Sequence, residues 1–78
     1  MPTVLLSGPY RFFYYMADRV EPPHVHVERD DRRAKLWLDP VVIAYPGQFD
    51  RRELRRIQRI VEDNRYMMLE QWDGHFGI

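Results

Sequence analysis

The first half of the chain alternates apolar and polar residues in short runs, and turn residues separate these runs. A two-residue alternation is typical of β-strands that bury one face. Asp30 and Asp31 stand between two such runs and predict a tight hairpin. The pattern predicts strands over residues 3–6, 10–16, 24–29, 33–38 and 41–45.

The pattern changes after residue 46, where apolar residues begin to recur with the 3.6-residue period of a helix. Asp50 and Glu53 have the spacing of a capping box, and Gly74 is a typical C-terminal stop. These signals predict one long helix over residues 50–73. Its predicted core stripe contains Leu54, Ile57, Val61, Met68 and Trp72.

Together these elements predict an α+β fold within a single domain, residues 1–78. A four- or five-stranded, mainly antiparallel meander over residues 1–46 is followed by one long helix that packs across one face of the sheet. The chain contains no cysteine, which excludes disulfides and a zinc–thiolate cluster. It also has no signal-peptide pattern or membrane-spanning apolar run, so we expect a cytoplasmic protein.

Twelve basic and twelve acidic side chains cancel, which argues against a uniformly basic nucleic-acid-binding protein. The predicted helix nevertheless separates its charges. Its acidic residues come late, at Glu62, Asp63, Glu70 and Asp73, and its basic residues come early, at Arg51, Arg52, Arg55, Arg56 and Arg59. This order opposes the helix macrodipole, so helix stability does not favour it.

The early arginines therefore have two interpretations. They could form a solvated face in which each arginine pairs with a nearby carboxylate at helical spacing. They could also form a surface that binds an acidic partner or a phosphate backbone, since arginine matches both groups with two parallel hydrogen bonds.

The run YRFFYYM, residues 10–16, places aromatic side chains on both faces of one predicted strand. Phe12 and Tyr14 can pack under the helix, which leaves Phe13 and Tyr15 on the opposite face. These two side chains predict an interface, either with a second copy of the chain or with a cognate protein partner. The alternatives are a second layer that covers this face and a stacking platform for the bases of RNA or another nucleic acid.

The stretch EPPHVHVE, residues 21–28, holds two of the three histidines. Alternation places His24, His26 and Glu28 on one face of the third strand, and Lys35 and Trp37 beside them on the fourth. The opposite face of these two strands is then apolar, with Val25, Val27, Ala34, Leu36 and Leu38. The pair His24 and His26 could act as catalytic acid and base, contact phosphate, or be structural residues held by hydrogen bonds and packing.

A metal site is a further interpretation of the same histidines. Two imidazoles two residues apart can bind one zinc, iron or manganese ion, and a carboxylate could complete the site. Glu28 is the nearest such carboxylate, with Glu21 and Asp39 as alternatives. We expect no cofactor other than a divalent metal ion bound in this way.

Several of these segments together resemble the bacterial family catalogued as domain of unknown function 4160, over nearly the full length of the chain. The resemblance rests on MPTV, RFFYYM, EPPHVHV, KLWLDP and the closing helix with Trp72. The family signature falls on Pro22, Pro23, His24 and His26, and His75 is not part of it. The resemblance implies a small protein without an established reaction, often encoded beside another small protein.

Two functions follow as hypotheses. The first is an interaction module of a two-component, toxin–antitoxin-like system, which binds through the helix arginines together with Phe13, Tyr15, Lys35 and Trp37. The second is a small hydrolase, such as an RNase-like toxin, that uses His24 and His26 with or without a metal ion. The sequence leaves open whether the protein is an enzyme.

Overall fold

The computed structural model describes residues 3–15 and 19–76, which form a five-stranded antiparallel meander followed by two helices. The strands are β1 (Thr3–Ser7), β2 (Tyr10–Phe13), β3 (His24–Arg29), β4 (Arg32–Leu38) and β5 (Val41–Tyr45), and the helices are α1 (Arg51–Asp63) and α2 (Arg65–Phe76). Each strand pairs with its neighbour in sequence. The predicted meander and its position before the helical segment are confirmed.

Among the connections between elements, two that contain a residue with a positive φ angle lie where turn residues separate the apolar runs of the sequence. Asp30 adopts a positive φ of 55° in the two-residue turn between β3 and β4, a conformation that Asp tolerates better than most residues. Gly47 adopts a φ of 60° after β5, and a Cβ built there would lie 1.7 Å from the carbonyl oxygen of Arg33. Gly47 therefore allows this loop to pass directly against β4.

The predicted single helix is wrong, because the helical segment is interrupted at Asn64. Asp50 caps α1 as predicted, with its Oδ1 accepting from the N–H of Glu53 at 2.8 Å. The Asn64 side chain donates to the carbonyl of Ile60 at 2.8 Å, a local bond by which Asn competes with the helical backbone pattern. Gly74 does not end the helix, since α2 continues to Phe76.

The core lies between one face of the sheet and the two helices, and the helical stripe keeps its phase across the interruption. Ile57, Val61, Met68 and Trp72 are all buried, and Leu54 packs at the margin. The sheet contributes the apolar face predicted from alternation, namely Phe12, Tyr14, Val25, Val27, Ala34, Leu36 and Leu38. The Tyr14 hydroxyl donates to the carbonyl of Met68 at 2.5 Å and joins the segment after β2 to α2.

The aromatic strand β2 lies inside the sheet, between β1 and β3, so its backbone is paired on both sides. The predicted strand over residues 10–16 ends at Phe13, and Met16 lies outside the described residues. Both edge strands show a shift in pairing register, at Val4 in β1 and at Ala44 in β5. Such irregularities disfavour the addition of a further strand.

No helix in the described part of the chain is long and apolar enough to cross a membrane.

Candidate functional site

The face of the sheet opposite the helices, called the open face below, is covered by its own charged side chains. Arg11 lies over the ring of Phe13 at 4.6 Å, and Lys35 lies over the ring of Trp37 at the same distance. Phe13 is consequently fully buried, although no helix covers it. The prediction that Phe13 offers an accessible binding surface is therefore wrong.

Ion pairs hold these covering side chains in place. Glu28 lies 3.3 Å from Arg11 and 3.6 Å from Arg33, across the three central strands of the sheet. Lys35 Nζ lies 2.6 Å from Glu21 Oε1. Tyr15, also predicted as an exposed aromatic, is half-buried and accepts a hydrogen bond from Arg33 at 3.1 Å.

His24 is fully buried at the end of the sheet where α2 crosses it. Its ring contacts Trp37 and His26 on the open face and Trp72 of α2, with ring centroids 5.5, 5.1 and 5.1 Å away. Nδ1 lies 2.9 Å from the carbonyl oxygen of Pro22, which can only accept, so this contact places a proton on Nδ1. His24 therefore packs as a core residue.

His26 is half-buried and lies within the aromatic layer of the open face. Its ring stacks on Phe13 at 5.6 Å and meets Tyr15 edge-on at 4.6 Å. Glu28, the predicted third metal ligand, instead pairs with two arginines. Among residues 3–15 and 19–76, no three His, Asp or Glu side chains form a group that could hold a metal ion.

The structure predicts different consequences for the two histidines. We expect His24→Gln to lower the free energy of unfolding by about 1–3 kcal/mol, because it disrupts buried packing and a buried hydrogen bond. We expect His26→Gln to cost less than about 1 kcal/mol, because that ring is partly solvated. Urea denaturation of both variants measures the difference, and equal small losses would contradict the structural role of His24.

A second charged surface lies on α1 and is not covered in this way. It is called the arginine surface below, and it consists of Arg51, Arg52, Arg55, Arg56 and Arg59, all of them exposed. At about 100° per residue, these side chains span an arc of about 140° on the side of α1 opposite Ile57 and Val61. The arc extends over about 12 Å of helix.

The arginines of this surface form no direct ion pairs with the described residues, although Glu62 and Asp63 line one groove together with Arg55 and Arg59. None of its five members forms an ion pair with a carboxylate in the described part of the chain. The interpretation in which they pair with acids at helical spacing is therefore wrong for this structure. Glu53 is the one acidic residue in the first turn of α1, and the last turn has no basic residue, so the macrodipole does not stabilise this arrangement.

Three residues beside the arginine surface were not predicted as part of a site. Arg29 and Arg32 flank the β3–β4 turn, and Glu53 joins them to α1, with oxygens 3.0 and 3.4 Å from the two guanidinium groups. The Tyr10 hydroxyl donates to the same carboxylate at 2.9 Å. The sequence signal was the density of arginine around Asp30–Asp31, but only the fold brings this turn next to α1.

The fold and these surfaces define a small α+β domain with one exposed arginine surface. The chain belongs to the family described as Domain of unknown function (DUF4160), whose model matches residues 10–73. That match covers β2 to α2 and confirms the resemblance drawn from the sequence motifs. A search of curated proteins and a search of solved structures each returned no match to this chain.

Proposed function

We propose that this protein is an interaction module that binds an acidic protein partner through the arginine surface of α1. The observation that supports this proposal is the group of five exposed arginines without a carboxylate partner among the described residues. Their position near the N-terminal half of α1 costs helix stability, so a role in binding accounts for their presence better than a role in folding.

A protein partner fits the charges and the aromatic residues better than RNA does. The chain has no net charge, so it lacks the long-range attraction typical of proteins that bind nucleic acid without sequence preference. The two aromatic side chains predicted to stack on bases are covered, Phe13 by Arg11 and Tyr15 by a hydrogen bond from Arg33. Binding to a protein partner with a compact acidic surface requires neither a net positive charge nor exposed aromatic side chains that stack on bases.

The family resemblance adds a biological setting to this proposal. Proteins of this kind are often encoded beside another small protein, so the proposed partner is the cognate member of a two-component, toxin–antitoxin-like pair. The arginine surface, and not the covered open face, is then the part of the domain that contacts it. A second copy of the chain is the competing occupant, and its presence would appear as a concentration-dependent mass in light scattering.

Removing arginines from this surface should weaken binding without unfolding the protein. We expect Arg55→Gln with Arg59→Gln to weaken binding of a fluorescein-labelled decaglutamate peptide severalfold and to reduce the salt dependence of its affinity. The free energy of unfolding should change by less than about 0.5 kcal/mol, because both side chains are exposed and without carboxylate partners in the described region. Fluorescence anisotropy between low and high salt measures both quantities.

A control with the same change in charge removes two exposed arginines elsewhere, by Arg19→Gln with Arg33→Gln. Because Arg33 also contacts Glu28 and Tyr15, urea denaturation must show that this variant is folded. The control should bind the peptide nearly as well as the parent protein. Equal loss in both variants would show that only total charge matters and would contradict a defined surface. Stronger binding of a ten-nucleotide single-stranded RNA than of the peptide would instead identify the arginine surface as a nucleic-acid interface.

A further inference from the structure

One end of the arginine surface borders a cavity that the sequence did not indicate. This cavity is an open depression of about 200 Å³ between the end of β3 and the first turns of α1. The lining residues are Arg29, Asp50, Arg52, Glu53 and Arg56. Since one water molecule occupies about 30 Å³ in the liquid, the cavity has room for a carboxylate and several waters.

The two carboxylates that line this cavity are already engaged by the protein. Asp50 accepts from the N–H of Glu53 at the start of α1. Glu53, whose side chain is only 11% exposed, contacts Arg29, Arg32 and the hydroxyl of Tyr10. Burial, followed by the bond to Glu53, raises the pKa of Tyr10 above its ordinary value, so this hydroxyl stays a donor at neutral pH.

The arginines of the cavity retain unused hydrogen-bonding capacity. Three guanidinium groups face two carboxylates, which leaves a surplus of one positive charge among the lining residues. Arg52 and Arg56, one helical turn apart, have no carboxylate partner in the described region, although Arg56 also interacts with the Tyr10 hydroxyl. Arg29 Nε is buried 3.0 Å from Glu53 Oε2, but its N–H is not directed at that oxygen and has no hydrogen-bond partner within the described residues.

Glu53 also fixes the geometry of the cavity. It holds Arg29 of β3 against the helix that carries Arg52 and Arg56, so guanidinium groups from two elements approach one small space. Arg29, held by its ion pair with Glu53, loses less side-chain entropy on binding an anion than an unpaired surface arginine does. Arg55 and Arg59 line a separate groove on α1, together with Glu62 and Asp63 and without a guanidinium group from the sheet.

We propose that Arg29, Arg52 and Arg56 form a pocket for one oxyanion, the side-chain carboxylate of a glutamate or aspartate of the acidic partner. This inference rests on the proposed function and assigns one defined anchoring point within the arginine surface. The guanidinium groups donate charge-assisted hydrogen bonds to both oxygens of the inserted carboxylate, and the more distant arginines attract the partner without a defined geometry.

The test compares two variants that each remove two arginines, one helical turn apart, from α1. We expect Arg52→Gln with Arg56→Gln to weaken decaglutamate binding at least tenfold more than Arg55→Gln with Arg59→Gln does. Nitrogen-15 spectra of the arginine Nε–H groups should also show that the peptide shifts the Arg29 signal in the parent protein. That shift should be lost in the Arg52→Gln, Arg56→Gln variant.

The possible outcomes distinguish failure of the pocket proposal from failure of the proposed function. If both variants weaken binding equally and the Arg29 signal does not move, the arginine surface binds the partner but the pocket is wrong. If the parent protein does not bind the peptide at all, both proposals fail. If inorganic phosphate shifts the Arg29 signal and the peptide does not, the pocket selects phosphate, and the carboxylate assignment is overturned.

Discussion

Phe13→Ala is expected to lower the free energy of unfolding by about 3–5 kcal/mol, a loss typical of a fully buried phenylalanine. The value is notable because Phe13 lies on the open face, away from the helices. The enclosure comes from Arg11 over the Phe13 ring, the stacked ring of His26 and the edge-on ring of Tyr15. Urea denaturation followed by far-UV circular dichroism measures the loss.

Leu6→Ala is the matched control for Phe13→Ala, because Leu6 lies opposite Arg11 on β1 and is 71% exposed. It should change stability by less than about 0.5 kcal/mol. A similarly small effect of Phe13→Ala would mean that Phe13 is accessible in solution and would restore the prediction of an aromatic interface on this face. A large effect would show that the open face is a second, self-covered layer.

Trp72→Ala is the second substitution for which we expect a large effect, again about 3–5 kcal/mol. Trp72 is 4% exposed and contacts Tyr14 at 5.3 Å, His24 at 5.1 Å and Phe76 at 4.3 Å between ring centroids. Its removal leaves a cavity at the position where α2 meets both the core and the buried histidine. Thermal and urea denaturation should both register the loss.

Tyr66→Ala provides the control on the same helix, because this tyrosine is 82% exposed. It should leave the stability nearly unchanged. Amide hydrogen exchange adds a regional measurement, since loss of Trp72 should reduce protection in α2 more than in α1, which Ile57 and Val61 still anchor. Equal loss of protection in both helices would show that they unfold as one unit despite the interruption at Asn64.

The structure removes the reason for which self-association was predicted. The sequence argument required a partner to cover Phe13 and Tyr15, but the protein covers them with Arg11, Arg33 and His26. The central position of β2 and the register shifts in both edge strands also remove the simplest route to pairing through the sheet. The proposed partner interface therefore lies on α1.

The sequence by itself determined the order of the elements, the helix-facing core and the start of α1. Alternation placed Val25 and Val27 under the helices, and the 3.6-residue period identified Ile57 and Met68 as buried. The Asp50 cap was also predictable, because it depends on residues three positions apart. These features follow from local spacing, which a linear chain specifies directly.

The tertiary structure alone decided which polar side chains are buried or paired within the domain and which are exposed to a partner. His24, His26 and Glu28 share one strand face in the sequence pattern, yet His24 is sealed by Trp72 from a distant helix and Glu28 is engaged by Arg11 and Arg33. Alternation assigns a side chain to a face but does not reveal which residues far along the chain cover that face.

The same limit applies to the arginines. Spacing predicted five basic residues on one side of α1, but it could not show that they lack carboxylate partners among the described residues, or that Arg29 joins Arg52 and Arg56 at one cavity. Burial and ion pairing depend on distances between segments, and these distances exist only once the meander and helices have packed. For this protein, local periodicity determined the order of the strands and the helical segment, and long-range contacts decided which charged side chains are paired within the domain.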